Sequence, residues 1–222
     1  VYDKSKTIED LEAVAAHIRA AGRKALVVSV DVRESQQVAD MVEKAMSSFG
    51  RIDILVNAAG GAFAAPTLDV SDNGWDAVLR ENLKSAFICC KAVGKVMVSQ
   101  KRGSIINFAS MAGRASSAGN AHYGAAKAGI INLTQSLAEE WGPHNVRVNA
   151  LAPGTIKSEG WVRVQAQWRG REEADIAKGI ALGRLGVPDD VAGVAVFLAS
   201  DASEYITGQT INVNGGERGY YS

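Results

Sequence analysis

The sequence predicts an α/β fold: a doubly wound parallel sheet with helices on both faces, three layers in a single domain. Three observations carry this. Short, nearly continuous apolar runs recur at Ala25 to Val30, Ile52 to Val56, Ser104 to Phe108, Val146 to Leu151 and Thr210 to Val213. Unbroken apolarity marks a strand covered on both faces, whereas a half-solvated strand alternates. Longer segments with apolar residues at helical spacing separate most of these runs, and that alternation requires crossover connections and hence parallel pairing.

Taken in order, Thr7-Ile8-Glu9-Asp10 reads as a capping box, and Ile8, Leu11, Val14 and Ile18 form one apolar face before Gly22 stops the helix. The run Ala25 to Val30 follows as a strand ending at Asp31. After Ser35 a second helix carries Val38, Met41, Val42 and Ala45 and closes at Phe49-Gly50, and strand Ile52 to Val56 comes at once. Asn57-Ala58-Ala59-Gly60-Gly61 then dissolves into small residues, which either let a ligand approach the backbone or make a plain tight turn. An Asn at a strand end is suited to bonding main-chain groups of the next strand. From Ser71 the helical pattern Trp75, Val78, Leu79, Leu83, Phe87 contains Asn82, which is mildly unfavourable in mid-helix and so either faces solvent or serves a kink. A helix from Tyr123 to Trp141 carries Ile130, Leu133, Leu137 and Trp141 on one face. Pro188 opens a helix with Val191, Val194, Ala195 and Leu198, and the last strand ends at Asn214-Gly215-Gly216. The stretch from Gly154 to Leu182 is too polar for core yet holds Trp161 and Trp168 among Arg163, Arg169, Arg171, Glu172 and Glu173; it reads as a lid over a site or as a surface helical hairpin.

Composition narrows the partners. At 222 residues, 47% hydrophobic and 22% charged, the chain can bury a full core, and Lys plus Arg balances Asp plus Glu at 24 each. Without a run of like charge, the expected partner is a small molecule rather than a nucleic acid. No stretch of eighteen apolar residues suggests a membrane span, and Val1-Tyr2-Asp3-Lys4 does not resemble a signal peptide, so the expected location is the cytoplasm. Cys89 and Cys90 sit in an apolar helical pattern as small buried side chains, and His17, His122 and His144 show no ligand spacing, so no metal is expected.

The chemistry concentrates in Ser110, Tyr123 and Lys127. Lys127 lies one turn beyond Tyr123 on the same helix face, and Ser110 ends an apolar strand, where α/β sheets keep their sites. A fixed ammonium favours phenolate and is expected to lower the Tyr123 pKa, making it a usable acid or base, while Ser110 holds the reacting oxygen.

Together these residues resemble the short-chain dehydrogenase/reductase family, from about Leu11 to Gly216. Asn57-Ala58-Ala59-Gly60 is similar to that family's Asn-Asn-Ala-Gly element with its second Asn replaced; Asn82, Ser110, Tyr123 and Lys127 fall in the order and spacing of its catalytic tetrad. Pro153-Gly154 with Ile156 resembles its nicotinamide-side loop, and Ile206-Thr207-Gly208-Gln209 through Gly216 its C-terminal signature. The resemblance implies a Rossmann-like fold and an NAD(P)-dependent oxidoreductase acting on an alcohol or carbonyl. It implies that Tyr123 exchanges the substrate proton, Lys127 lowers the Tyr123 pKa and bonds the nicotinamide ribose, Ser110 orients the substrate oxygen, and Asn82 holds a relay water. Asp31 and Val32 would touch the adenine. A homo-oligomer, tetramer or dimer, is also implied; Ile88, Val93, Val96 and Met97, with Ile130, Ile131, Leu133 and Leu137, suggest a second apolar face for it.

The family's opening strand, glycine-rich turn and helix have no counterpart in this sequence, so the expected domain lacks its first strand-helix unit, and this chain alone is expected to hold a dinucleotide poorly. Asp3, near the end of a presumed second strand, would bond the adenosine ribose and favours NAD; Lys4 and Lys6 beside it would suit the phosphate of NADP. The alternative is a non-catalytic binding or scaffold protein that keeps the fold, against which the intact polar residues argue.

Overall fold

In the computed structural model, residues 4–158 and 172–217 are described, with side chains from Ile8 onward. Asp3, Trp161, Trp168, Arg163, Arg169 and Arg171 lie outside them, and with them the argument for NAD and most of the lid reading.

Four strands, β1 (Ile54–Asn57), β2 (Gly103–Phe108), β3 (Val146–Pro153) and β4 (Thr210–Val213), form one parallel sheet in sequence order. The register sets Asn57 opposite Asn107, Phe108 opposite Leu151 and Pro153 opposite Val213, so the carboxyl ends of all four open on one edge. Successive residues of a strand face opposite ways. Ile105 therefore packs with Cys90, Val93, Met97 and Leu137, whereas Ile106 packs with Leu151, Val191 and Leu198. The first group belongs to helices α4 (Ser85–Gln100) and α5 (Ala121–Trp141); in the second, Val191 and Leu198 belong to α7 (Pro188–Ala199) and Leu151 to the neighbouring β3, giving the expected three layers. The fold is Rossmann-like.

Helix α2 (Ser35–Phe49) packs on α4 through Val38, Ile88 and Cys89. Helix α3 (Asp72–Leu79) is capped by the Ser71 hydroxyl, which accepts from the Gly74 amide at 3.1 Å. It runs into a π-helical turn, Arg80–Lys84, and thence into α4. A short α6 (Glu173–Lys178) precedes the return to α7.

Three sequence expectations need correction. Ala25 to Val30 forms no strand: a strand needs a ladder partner, none of the described residues pairs with the outer edge of β1, and Val30 and Val32 pack with Val38, Met41 and Leu55 instead. That free edge leaves Ile54 and Val56 47% and 46% exposed. Helix α1 (Lys4–Ala20) begins before Thr7, so the capping box is not its start, and the stripe Ile8, Leu11, Val14, Ile18 is between 38% and 58% exposed instead of covered. Finally, of the eight residues read as a surplus apolar face, Ile88, Val93, Met97, Ile130 and Leu137 are buried in this chain's own core, whereas Val96, Ile131 and Leu133 are half-buried. The sequence took these five for part of a surplus face because periodicity does not count the neighbours of a helix; α4 touches both α2 and the sheet, and α5 covers β2 and β3.

Candidate active site

At the carboxyl edge of the sheet, the backbone of the described strands leaves regular structure four times, and the first three exits carry predicted site residues. After β1 come Ala58, Ala59 and Gly60, small and exposed. After β2 comes Ser110, extended at φ −166° and ψ 158°, whose hydroxyl accepts from the Ala112 amide at 3.2 Å. β3 ends in Pro153 and passes to Gly154, Thr155 and Ile156, and β4 leads to Asn214.

Helix α5 delivers the phenol and the ammonium from the side. The Ser110 hydroxyl lies near enough to Tyr123 to act on its pKa, and Lys127 Nζ lies 5.4 Å from the Tyr123 ring centroid. Lys127 is only 4% exposed and donates to the Phe108 carbonyl at 2.7 Å, which ties it to the end of β2. Asn82 sits in the π-helical turn, 1% exposed, and donates to the Gly61 carbonyl at 2.7 Å and the Val78 carbonyl at 2.9 Å. The kink alternative for this residue is the one observed; a π turn frees a backbone carbonyl for just such a side-chain donor. Its Oδ1 is buried with no hydrogen-bond partner among the described residues. A Cβ on Gly60 would lie 2.5 Å from that Oδ1 and 3.5 Å from Lys127 Nζ, so Asn82 and Lys127 converge beneath the glycine, and only glycine leaves the space between them open. Asn82, Ser110, Tyr123 and Lys127 are thus brought together.

Electrostatics depart from the sequence expectation. Burial pushes the Tyr123 hydroxyl above its ordinary value of 10.0, partly offset by the Ser110 hydroxyl, and Lys127 is not among the causes. Burial also pulls the Lys127 ammonium down from 10.5 to about 8. The sequence reading counted the attraction of the ammonium and omitted the desolvation of both groups, which here dominates.

The remaining predicted residues divide. Pro153, Gly154 and Ile156 border the same edge. Asn57 bonds no main chain: its Nδ2 donates to Asn107 Oδ1 at 2.9 Å and to Cys90 Sγ at 3.2 Å. Asn107 in turn donates to Thr134 Oγ1 at 3.0 Å, a buried polar chain that joins β1, β2, α4 and α5 beneath the site. Asn107 and Thr134 went unread, although an Asn inside a fully buried strand was the available signal. Asp31 is held in a two-pronged pair by Arg33, with distances of 2.8 Å from Nε and 2.7 Å from the terminal nitrogen, which keeps its carboxyl at about 2. Val32 is turned into the α2 contact described above. Neither Asp31 nor Val32 has a contact with the Tyr123 group among the described hydrogen bonds and clusters. Among the described residues no group of three or more His, Cys, Asp or Glu side chains is arranged to hold a metal, and no helix is long and apolar enough to cross a membrane.

A parallel α/β sheet whose carboxyl edge gathers a serine, a phenol and a buried lysine defines the class: a Rossmann-like protein with a polar cluster where such sheets keep their sites. A family model described as Enoyl-(Acyl carrier protein) reductase matches residues 4–217. The chain is 42% identical over 216 residues to the 3-oxoacyl-[acyl-carrier-protein] reductase of Synechocystis sp., covering 97% of this chain and 84% of that one. It is 41% identical over 219 residues to the galactitol 2-dehydrogenase of Agrobacterium fabrum, covering 94% and 86%. Its fold superposes on the crystal structure of an NAD+-bound xylitol dehydrogenase with a TM-score of 0.87 at 33% identity, covering 94% of this chain and 85% of the other. The chain belongs to the short-chain dehydrogenase/reductase family of oxidoreductases.

Proposed function

We infer that the protein is an NAD(P)-dependent oxidoreductase that interconverts an alcohol and a carbonyl, with Tyr123 as the acid/base. The observation that carries this is the buried Lys127 ammonium, its Nζ 5.4 Å from the Tyr123 ring and tied to the end of β2, with the Ser110 hydroxyl acting on the same phenol. The named relatives, a 3-oxoacyl thioester reductase and two polyol dehydrogenases, all act at one oxygen-bearing carbon, which supports the same substrate class here.

The residues present fit a nicotinamide on two grounds. The small floor Ala58-Ala59-Gly60 leaves the approach to Lys127 open, and the unpartnered Asn82 Oδ1 is an acceptor awaiting a donor. When bound, the nicotinamide supplies or accepts the hydride. Lys127, Ile156 and the floor residues would hold its ribose and carboxamide end. Every other part of the chemistry falls to this chain. Ser110 holds the substrate oxygen beside the Tyr123 hydroxyl. Tyr123, its pKa raised by burial, is protonated at neutrality and gives its proton to the oxygen of a carbonyl being reduced. In the reverse direction it must first lose that proton, so oxidation gains with rising pH. Asn82, through its orphaned Oδ1, orders the water by which Lys127 exchanges a proton with solvent.

The scaffold alternative gains nothing from this geometry, because a buried, partly desolvated lysine costs stability that a non-catalytic protein has no reason to bear. Fluorescence titration of the full-length protein with NADH and NADPH, followed by turnover against 3-oxoacyl thioesters, ketoses and cyclic ketones, is the test. The Asp3 argument favours NADH as the tighter ligand. Binding of neither dinucleotide would overturn the proposal.

A further inference from the structure

The loop that follows β3 is held by a residue from the far end of the described chain. Glu217 Oε2 accepts the Thr155 N–H at 3.0 Å and Oε1 accepts the Thr155 hydroxyl at 2.8 Å. The carboxylate is thereby fixed by both donors of one residue, and Thr155 itself is 9% exposed. The third polar group of Thr155, its carbonyl, accepts the Gly186 amide at 3.0 Å. Thr155 has no donor left to offer a ligand.

Glu217 reaches this point because the backbone is steered there. Gly215 and Gly216 both take left-handed conformations, with φ of 61° and 74°. The turn closes with the Glu217 amide donating to the Asn214 carbonyl at 3.0 Å and the Gly216 amide to Asn214 Oδ1 at 3.2 Å. The same turn accepts the Leu182 amide on the Gly215 carbonyl at 3.1 Å, and the Gly154 amide donates to the Val213 carbonyl at 3.0 Å. Room for the carboxylate exists only because residue 154 is glycine: a Cβ there would meet Glu217 Oε2 at under 3 Å and the Asn214 Cβ at 2.7 Å. Glu217 therefore joins the turn after β4 to the exit of β3 through its side chain and to Ile180 through a backbone bridge.

Pinning Thr155 fixes the next peptide. Ile156 is bridged in parallel to Gly186, through the Thr155 carbonyl and the Lys157 amide, and its carbonyl accepts the Ser158 amide at 2.9 Å. No hydrogen bond among the described residues engages the Ile156 N–H. We propose that Glu217 is a positioning residue for the cofactor: by taking both donors of Thr155 it locks the Thr155–Ile156 peptide so that the Ile156 N–H is presented, already oriented, to the nicotinamide end of the dinucleotide. This rests on the function proposed above. It differs from a merely structural brace in predicting an effect on cofactor affinity out of proportion to the effect on folding, because orientation of a ligand-facing amide is what is lost.

The test uses the full-length protein with Glu217→Ala, Glu217→Gln, Thr155→Val and the Glu217→Ala/Thr155→Val pair. Amide hydrogen exchange of the cofactor-free protein reads the clamp, and titration with NADH and NADPH reads its use. Glu217→Ala is expected to speed exchange at Thr155 and to raise the dinucleotide Kd by about tenfold or more, since small misplacements of a binding group carry factors of this order. Glu217→Gln, which keeps one acceptor oxygen, and Thr155→Val, which keeps the amide, are each expected to show a smaller rise. The double variant should match Glu217→Ala, because both act on one interaction. Faster exchange with unchanged Kd, in any variant that folds, overturns the inference and leaves the oxidoreductase proposal standing. Unchanged exchange in Glu217→Ala also overturns it. A wild-type protein that binds neither dinucleotide overturns both, and exchange at Thr155 then still shows whether the clamp exists.

Discussion

Replacing Lys127 by Met tests the electrostatics of the site directly, because it keeps the length of the side chain and removes the buried charge. In the folded protein burial lowers the Lys127 pKa from 10.5 to about 8. At about 1.4 kcal/mol for each tenfold change in proton affinity, that fall means the charged form costs the fold about 3 kcal/mol. Against this, Met gives up the donation to the Phe108 carbonyl, a bond of 2.7 Å. An acceptor left without its donor costs about 1–2 kcal/mol. The expected net effect of Lys127→Met at pH 7 is therefore a gain of about 1–2 kcal/mol, or roughly 2–8 °C in unfolding midpoint for a domain of this size. The pH dependence supplies the sign. The folded pKa lies below the unfolded one, so between about 8 and 10.5 the unfolded wild type binds more protons and its stability rises with pH. The variant has no such group. Its advantage should be complete below about pH 8, vanish between about pH 9 and 10, and turn into a deficit as pH approaches 10.5, where only the lost Phe108 hydrogen bond remains. Urea unfolding of both proteins from pH 6.5 to 10, with activity followed in parallel, measures this. A variant less stable than wild type at pH 7, or one whose advantage stays constant to pH 10, refutes the reasoning. Loss of turnover with gain of stability is the expected pairing, since a strained catalytic group is commonly retained at a stability cost.

Tyr123→Phe should lower kcat by about 10²- to 10⁴-fold, the usual contribution of a positioned acid or base, while near-wild-type circular dichroism shows the fold intact; a variant keeping most of the wild-type rate removes Tyr123 from the mechanism. Ser110→Ala deletes the hydroxyl that partly offsets burial at Tyr123, so the pH at which oxidation reaches half its maximum should move upward, measured from initial rates across pH. A downward move would mean that Ser110 acts otherwise. Asn107→Ala removes the centre of the Asn57–Asn107–Thr134 chain and strands its partners, so denaturant unfolding should show a loss of about 2–4 kcal/mol. A loss under about 0.5 kcal/mol would show that water replaces the side chain without cost.

What the sequence made legible follows from the range over which each signal acts. Strands β2 to β4 and helix α5 were readable because their apolar patterns are local, and the tetrad residues because their order along the chain is a one-dimensional property. The kink at Asn82 was among the readings offered, since a polar residue in a helical apolar pattern is locally out of place. The strand at Ala25 to Val30 was misread for the opposite reason. Apolarity says that a segment is covered, and here α2 and Leu55 supply cover to Val30 and Val32 without a ladder. The capping box failed similarly: Thr7 has the right neighbours, but the helix begins at Lys4.

The site shows where local reading stops. Tyr123 and Lys127 were placed correctly by helical spacing, yet the sign of the Tyr123 shift was wrong, because desolvation depends on everything packed around the pair and not on the pair. Glu217 had no signal at all. It stands 62 residues from Thr155, and the contact exists only because two left-handed glycines and the absent Cβ of Gly154 let the chain return to the exit of β3. Glycines were readable as turns, but which side chain a turn would deliver, and to what, is fixed by the register Pro153 to Val213. The residues proposed to perform chemistry are thus more visible in this sequence than the one proposed to aim it. The first kind is constrained by type and spacing, the second by shape alone. For that reason the Glu217 variants probe what the sequence leaves dark: if the clamp matters, cofactor affinity in this chain depends on a carboxylate that touches neither substrate nor dinucleotide.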